Sequence, residues 1–231
     1  MVKTRTSWKY NPPSIGTIEI DERVYTAEPQ GFGNFLQLRE ANYGEGFEQA
    51  TLGGQSRIYS RAILNPKAQG AQRIIQPGKA RWLSGDTAVI WTSKGLIAQD
   101  KPELREGRIY MVPKALMSQL GSRQIKDVRF SDDGKVRFTP YGFKVGEQKP
   151  RDLAKNAGLI AFLGGEEEAE LTAEASAEFR DQPVLGGFTS SRKNLVKVPV
   201  LVVGGDWLDI VGSATWGEFG DCGYSFGVCS R

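Results

Sequence analysis

The stretch VRFSDDGKVRFTPYGF (residues 128–143) carries the clearest β-hairpin pattern in the chain. Two runs of alternating apolar residues flank a turn-forming Asp-Asp-Gly triplet. We expect the apolar side chains to share one face, with Phe130 opposite Val136. This register predicts a three-residue loop in which Gly134 has a left-handed backbone, because a two-residue loop would pair Phe130 with Arg137.

The same register predicts a basic outer face on this hairpin. Arg129, Lys135 and Arg137 would point away from the core, with Arg129 directly opposite Arg137. Like charges in that arrangement repel unless an anion or a neighbouring carboxylate compensates them. The face is therefore either an anion- or nucleic-acid-binding surface or a solvated surface balanced by nearby aspartates. We favour the solvated surface, since phosphate-backbone binding needs a wider basic footprint.

Two further hairpins are predicted before this stretch. The segments 17–20 and 23–26 pair across a tight connection at residues 21–22, and the apolar runs 88–91 and 96–98 flank a glycine-containing turn. These elements indicate antiparallel β structure.

Helix signals lie between the hairpins. Asn34 is a candidate N-cap for a short helix that stops at Gly44, and Pro113 begins a second short helix that stops at Gly121. The segment 44–76 fits the strand and helix templates about equally, so its structure stays open.

The segment from residue 148 to residue 183 predicts a helix, a strand, a two-glycine turn and a second helix. Pro150 starts the first helix, and LIAFL (159–163) is the expected strand. A strand that leads through glycines into a helix resembles a phosphate cradle, but Glu166 to Glu168 place negative charge at that helix start and would repel phosphate. We therefore interpret the turn as structural.

The last part of the chain, from about residue 182, is rich in glycine and aromatic residues. A valine-rich strand interrupted by Pro199 leads into it. Asp206 and Asp209 are candidate ligands for a divalent cation, or acid and base groups of a carboxylate-based enzyme. The spacing of a calcium loop is missing, so a turn-rich surface is favoured. The aromatic run predicts contact with the core, with another protein or with a second copy of this chain.

Two cysteines, Cys222 and Cys229, enclose a segment that could fold back as a tight hairpin. A disulfide between them is one alternative, since a hairpin brings two Cα atoms to the spacing that a disulfide needs. A pair of reduced thiols is the other. Two thiolates cannot complete a zinc shell by themselves.

Composition excludes several chemistries. The chain of 231 residues has no histidine, which removes the commonest general base and most zinc and iron sites. Its net charge of +3 is too small to argue for nucleic acid or an acidic membrane in general. The first residues do not read as a signal peptide, and no segment approaches a membrane span. We predict a soluble cytoplasmic protein without a cofactor and without membrane contact.

Three stretches resemble segments of a conserved archaeal protein family of unknown function. They are RWLSGDTAVIWTSKGLIAQD (81–100), VRFSDDGKVRFTPYGFKVGEQKP (128–150) and NAGLIAFLGGEEEAE (156–170). The resemblance implies an archaeal cytoplasm, where an intracellular disulfide is less surprising. It implies no activity, so it assigns no catalytic role to any residue.

Together these features predict a single α+β domain, residues 1–231, built from antiparallel hairpins and a few short helices. The favoured function is a binding or interaction protein without catalytic machinery. The alternatives are a nucleic-acid-binding module that uses the basic hairpin face, and a carboxylate-based enzyme.

Overall fold

A mixed β-sheet forms the middle of the structure. The computed structural model describes residues 16–68, 70–75, 81–186, 195–215 and 223–229. The strands are β1 Thr17–Ile20, β2 Arg23–Thr26, β3 Gln30–Gly33, β4 Phe47–Gln49, β5 Arg81–Ser84, β6 Thr87–Trp91, β7 Gly95–Asp100, β8 Glu103–Arg105, β9 Arg108–Tyr110, β10 Leu120–Ile125, β11 Val128–Ser131, β12 Val136–Pro140, β13 Gly146–Glu147, β14 Val184–Gly186, β15 Val196–Val203, β16 Leu208–Thr215, β17 Gly223–Ser225 and β18 Gly227–Cys229. The helices are α1 Phe35–Arg39, α2 Leu52–Leu64, α3 Ala71–Ile75, α4 Pro113–Met117, α5 Pro150–Leu153, α6 Ala157–Leu163 and α7 Glu166–Ser176. The predicted α+β class is confirmed.

The main sheet has the strand order β10-β11-β12-β7-β6-β15-β16-β14-β13. Strand β5 adds to β15, and β17 joins β5 to β3. The pairs β14–β16 and β5–β17 are parallel, and the other pairs within this sheet are antiparallel. A second sheet has the order β1-β2-β18-β4, and β8 and β9 form a separate hairpin.

The helices α2, α6 and α7 contribute to the largest core cluster, together with Leu83, Leu201 and Ile210 of the main sheet. Residues Ala88, Ile90, Ile97 and Val136 face the other way and pack with Leu116 of α4 in a second cluster. The central strands β6 and β7 are therefore buried on both faces. Within the described residues, no helix combines the length and apolar character needed to cross a lipid bilayer.

Local signals in the sequence predict several elements correctly. The hairpin β1–β2 turns at Asp21 and Glu22, which both have positive φ angles (50° and 63°), as the tight hairpin turn requires. Asn34 caps α1 in a reciprocal capping box with Gln37, as expected, but the helix ends at Arg39, five residues before the predicted stop at Gly44. The hairpin β6–β7 also forms as expected.

The undecided segment 44–76 contains a buried helix, α2, capped by the side chain of Thr51. The helix crosses close to α6, because a Cβ atom on Gly53 would lie 2.0 Å from the carbonyl oxygen of Leu163. Polar residues such as Gln55 and Ser56 lie on its buried surface. This polar burial hides the apolar periodicity that would identify a helix.

Two other predictions next to glycines are also wrong. LIAFL (159–163) belongs to helix α6 and not to a strand, because Asn156 caps the helix start and Gly164 ends it with a left-handed backbone. All seven residues of α6 are buried, and a short, fully apolar run has no periodicity that separates helix from strand. Helix α4 ends at Met117, and Gly121 lies in β10 instead.

The predicted register of the hairpin β11–β12 is also wrong. Phe130 pairs with Arg137 and not with Val136. The turn is closed by Gly134 N–H donating to Ser131 O at 2.9 Å, with Gly134 at φ +73°. The register argument assumed one buried face on each strand, but Val136 and Arg137 are both buried on β12. Alternation therefore did not identify the inward side.

Candidate binding face

Strands β5, β15 and β16 lie side by side and present two different faces. Val202 of β15 pairs with Trp82 of β5 on one side and with Asp209 of β16 on the other. Directly opposite residues in a sheet project to the same face. The row Trp82–Val202–Asp209 therefore lies on one surface, and the alternating row Leu83–Leu201–Ile210 lies in the main core.

A second tryptophan lies at the end of the same surface. Gly204 N–H donates to Trp207 O at 2.9 Å in the turn between β15 and β16. The Trp207 ring covers Gly204 so closely that a Cβ atom there would meet it at 2.5 Å. Because Gly204 follows Val202 by two residues, the Trp207 side chain projects to the same face of the sheet as Val202.

We call this surface the tryptophan face: Trp82, Val200, Val202, Trp207, Asp209 and Val211. Trp82 and Trp207 are 40% and 37% exposed, whereas Val202 between them is only 8% exposed. Val200 and Val202 form a small cluster with Val211, separate from the two larger ones. The face therefore has an aliphatic floor with an exposed indole on two sides.

Asp209 brings a carboxylate to the tryptophan face. Its Oδ1 accepts a hydrogen bond of 2.9 Å from the backbone N–H of Val184 on β14. Burial raises the pKa of Asp209, and the hydrogen bond from Val184 lowers it in part. Within the described residues no lysine or arginine forms an ion pair with this carboxylate.

The other candidate metal ligand, Asp206, lies three residues away in the exposed β15–β16 turn. Its backbone carbonyl accepts a hydrogen bond of 2.9 Å from Asp181 N–H. In the ranges that the structure describes, no three acidic or cysteine residues cluster as a metal shell would require. That Asp206 and Asp209 bind a divalent cation therefore stays a prediction, and the geometry does not support it.

The basic face predicted on the hairpin β11–β12 is not formed. Arg137 is fully buried, and its guanidinium donates to both carboxylate oxygens of Asp100, at 2.5 and 2.8 Å. Arg129 pairs with Phe138 rather than with Arg137. Arg129 and Lys135 remain exposed, and Lys135 lies 3.5 Å from the carboxylate of Asp133. Two cations are a small footprint for a nucleic-acid backbone.

Asp86 is a buried carboxyl outside the tryptophan face. Its Oδ2 lies 3.5 Å from Nε of Arg39, and its Oδ1 has no hydrogen-bond partner. Burial raises the pKa of Asp86 to about 6, although Arg39 opposes the shift. This carboxyl is a cost to stability.

Among the described residues, clefts also open away from the tryptophan face. One of about 380 Å³ lies between β1 and the helices α2 and α3, with Ile18, Arg61 and Ile74 among its lining residues. The other, of about 610 Å³, lies beside Tyr141 and is lined by lysines and aspartates of both signs, among them Lys144 and Asp152. The first cleft contains the ion pair of Asp21 and Arg61, and the second has charges of both signs beside Tyr141 and Phe143, so neither lining specifies one kind of ligand.

The alternatives for the two cysteines involve a residue outside the described ranges. Cys229 lies half-buried in β18, whereas Cys222 is not described. The choice between a Cys222–Cys229 disulfide and two reduced thiols therefore stays open.

Comparisons with known proteins add little. No protein-family model matches the chain, and no curated protein matches it in sequence. Among solved structures, 92% of this chain aligns with the whole of a chain from work described as "Accommodation of massive sequence variation in Nanoarchaeota by the C-type lectin fold". The identity is 16% and the TM-score is 0.49. A likeness of this degree establishes neither a shared fold nor a shared function, and membership of a conserved archaeal family gains no support in sequence.

Sequence reasoning missed Trp82. The prediction of an aromatic contact surface covered only the residues from 182 onward. The run Arg81-Trp82-Leu83-Ser84 does not alternate between polar and apolar residues, so no sequence signal indicates that Trp82 is exposed. Its orientation follows only from the pairing of β5 with β15.

Proposed function

We propose that this chain is a binding protein that contacts a partner protein through the tryptophan face. The observation that supports it is the pair of exposed tryptophans near the buried Val202, with Trp82 on the neighbouring strand and Trp207 over Gly204 at the end of β15. Tryptophan is among the residues most enriched at the energetic centres of protein interfaces.

The physical argument concerns exposed apolar area. An indole left in water forgoes the free energy that burial would give, about 25 cal/mol for each Å² of apolar surface. Burial against a partner is therefore favourable for a large apolar ring. One ring on β5 and one in the tight β15–β16 turn are held in place before binding, which reduces the entropy cost. A β-sheet whose opposite face holds the main core, including Leu201, supplies that rigidity.

A displayed-peptide selection against the full chain tests the proposal. We expect selected peptides to bind wild-type protein and to lose at least tenfold in affinity with Trp82→Ser or Trp207→Ser, measured by calorimetry. Tyr110→Ser is the matched control, since Tyr110 is also 40% exposed but lies on the separate β8–β9 hairpin. Peptides whose affinity is unchanged by both tryptophan variants would contradict the proposal.

Sedimentation of the free chain provides a second arm. We expect a monomer whose mass does not depend on concentration. A dimer that Trp82→Ser dissociates would show that the tryptophan face holds a second copy of this chain, and the partner-protein proposal would then be wrong.

A further inference from the structure

The tryptophan face combines groups that together select a charge. Strands in a sheet are separated by about 4.8 Å, so the Cα atoms of Trp82 and Asp209 lie on opposite sides of Val202 and roughly 10 Å from each other. The Trp207 ring lies at the third side, over Gly204. Val202 is therefore the floor of a site with indoles on two sides and a carboxylate on another.

The carboxylate decides which side chains fit there. Val184 N–H uses one oxygen of Asp209, and within the described residues no hydrogen-bond donor to the other oxygen is found. A neutral apolar side chain that covered the face would remove water from this carboxylate without replacing its hydrogen bonds, which is costly. An anion would be repelled, and Asp181 and Asp206 nearby add negative charge.

A long cationic side chain satisfies all three groups. Its methylene stem would pack against the exposed indoles of Trp82 and Trp207, and its charged end would reach Asp209. Indole rings attract cations through their π-faces, and tryptophan does so most strongly. The nearest basic side chain of β5, Arg81, does not fill this role, because it lies on the core side of the sheet, over the ring of Tyr224.

We propose that the tryptophan face binds an arginine or lysine side chain of the partner protein, between Trp82, Trp207 and Asp209. This inference rests on the proposed function and specifies the chemistry of the partner. Arginine fits best, since its planar guanidinium can donate to the carboxylate and stack on an indole at the same time.

The test uses a small probe, Nα-acetyl-arginine methylamide, and its neutral isostere, Nα-acetyl-citrulline methylamide. Nuclear magnetic resonance of the full chain would follow the indole N–H signals of Trp82 and Trp207, assigned from single Trp→Phe variants. We expect the arginine probe to shift both signals saturably and the citrulline probe to bind at least tenfold more weakly. Equal shifts with both probes, or shifts that do not saturate, would overturn the proposal.

Two carboxylate variants locate the interaction. Asp209→Asn should weaken binding of the arginine probe about tenfold, whereas Asp181→Asn, a nearby carboxylate outside the face, should change it less than twofold. Equal losses in both variants would mean that a diffuse negative field attracts the probe, and the specific site would be wrong.

The two proposals can fail separately. Peptides that depend on Trp82 and Trp207 but contain no basic residue would overturn cation binding and leave the proposed function intact. Peptides that bind elsewhere would overturn the proposed function, whatever the probes show.

Discussion

Replacement of Arg137 by methionine tests the account of the hairpin most severely. Arg137 donates to both oxygens of Asp100, and its Nε donates to the carbonyl of Ala161 at 2.8 Å. Ala161 O belongs to the last turn of α6, where carbonyls have no partner within the helix. Arg137 therefore ties β12 to β7 and also satisfies the end of a buried helix.

The magnitude follows from what the substitution leaves behind. Methionine fills much of the volume but leaves the carboxylate of Asp100 without its cation and Ala161 O without a donor. Removing one partner of a buried ion pair costs about 3–5 kcal/mol, which is a large fraction of the 5–15 kcal/mol that typically stabilises a domain. Thr87 still donates to Asp100 Oδ1 at 2.6 Å, so we expect a value within that range rather than above it.

Urea unfolding followed by tryptophan fluorescence measures this free energy. Arg129→Met is the matched control, since Arg129 lies exposed on the same hairpin, and it should change the free energy of unfolding by less than about 0.5 kcal/mol. The double variant with Asp100→Asn should cost clearly less than the sum of the two single variants. An Arg137→Met protein as stable as the Arg129→Met protein would refute the buried ion pair and with it the corrected register.

Two further predictions concern single positions. Burial raises the pKa of Asp86 from 3.8 to about 6, so ionisation of this carboxyl destabilises the folded state. The loss of unfolding free energy is absent below pH 4 and grows between pH 4 and 6. It reaches on the order of 3 kcal/mol above pH 6. Asp86→Asn should therefore raise the free energy of unfolding at pH 7 and have little effect at pH 4, as denaturant titrations at both pH values can show; an equal effect at both would contradict the shift. Gly134→Val should lower the free energy of unfolding by about 1 kcal/mol or more, because a β-branched residue resists the positive φ of +73° at this turn. Thermal melts measure this as a lower melting temperature, and an unchanged melting temperature would count against the turn.

Local rules predicted the elements whose ends are set by neighbouring residues. The capping box of Asn34 and Gln37 uses atoms three residues apart, and the β1–β2 turn is specified by the length of its own connection. Such features depend little on the rest of the fold. They were therefore visible in the sequence before any tertiary contact was known.

Elements buried on every side could not be predicted in this way. The residues of α6 are apolar throughout, so no periodicity separates a buried helix from a buried strand. Arg137 shows the same limit for a charge, because arginine in an alternating strand is usually exposed. Its burial depends on Asp100, which lies 37 residues earlier in the chain, and no local rule includes that partner.

The tryptophan face depends on an even longer separation. Trp82 and Asp209 face the same side only because β5 and β16 both pair with β15, in registers that place them opposite Val202. A shift of one residue in either strand pairing would place the side chain of Trp82 or Asp209 in the core. The same shift would expose residues of the opposite row, Leu83–Leu201–Ile210, to water, and burial of that row therefore prevents it. The packing of the core therefore fixes which residues the sheet offers to a partner, and a substitution that preserves the core row should preserve the geometry of the face.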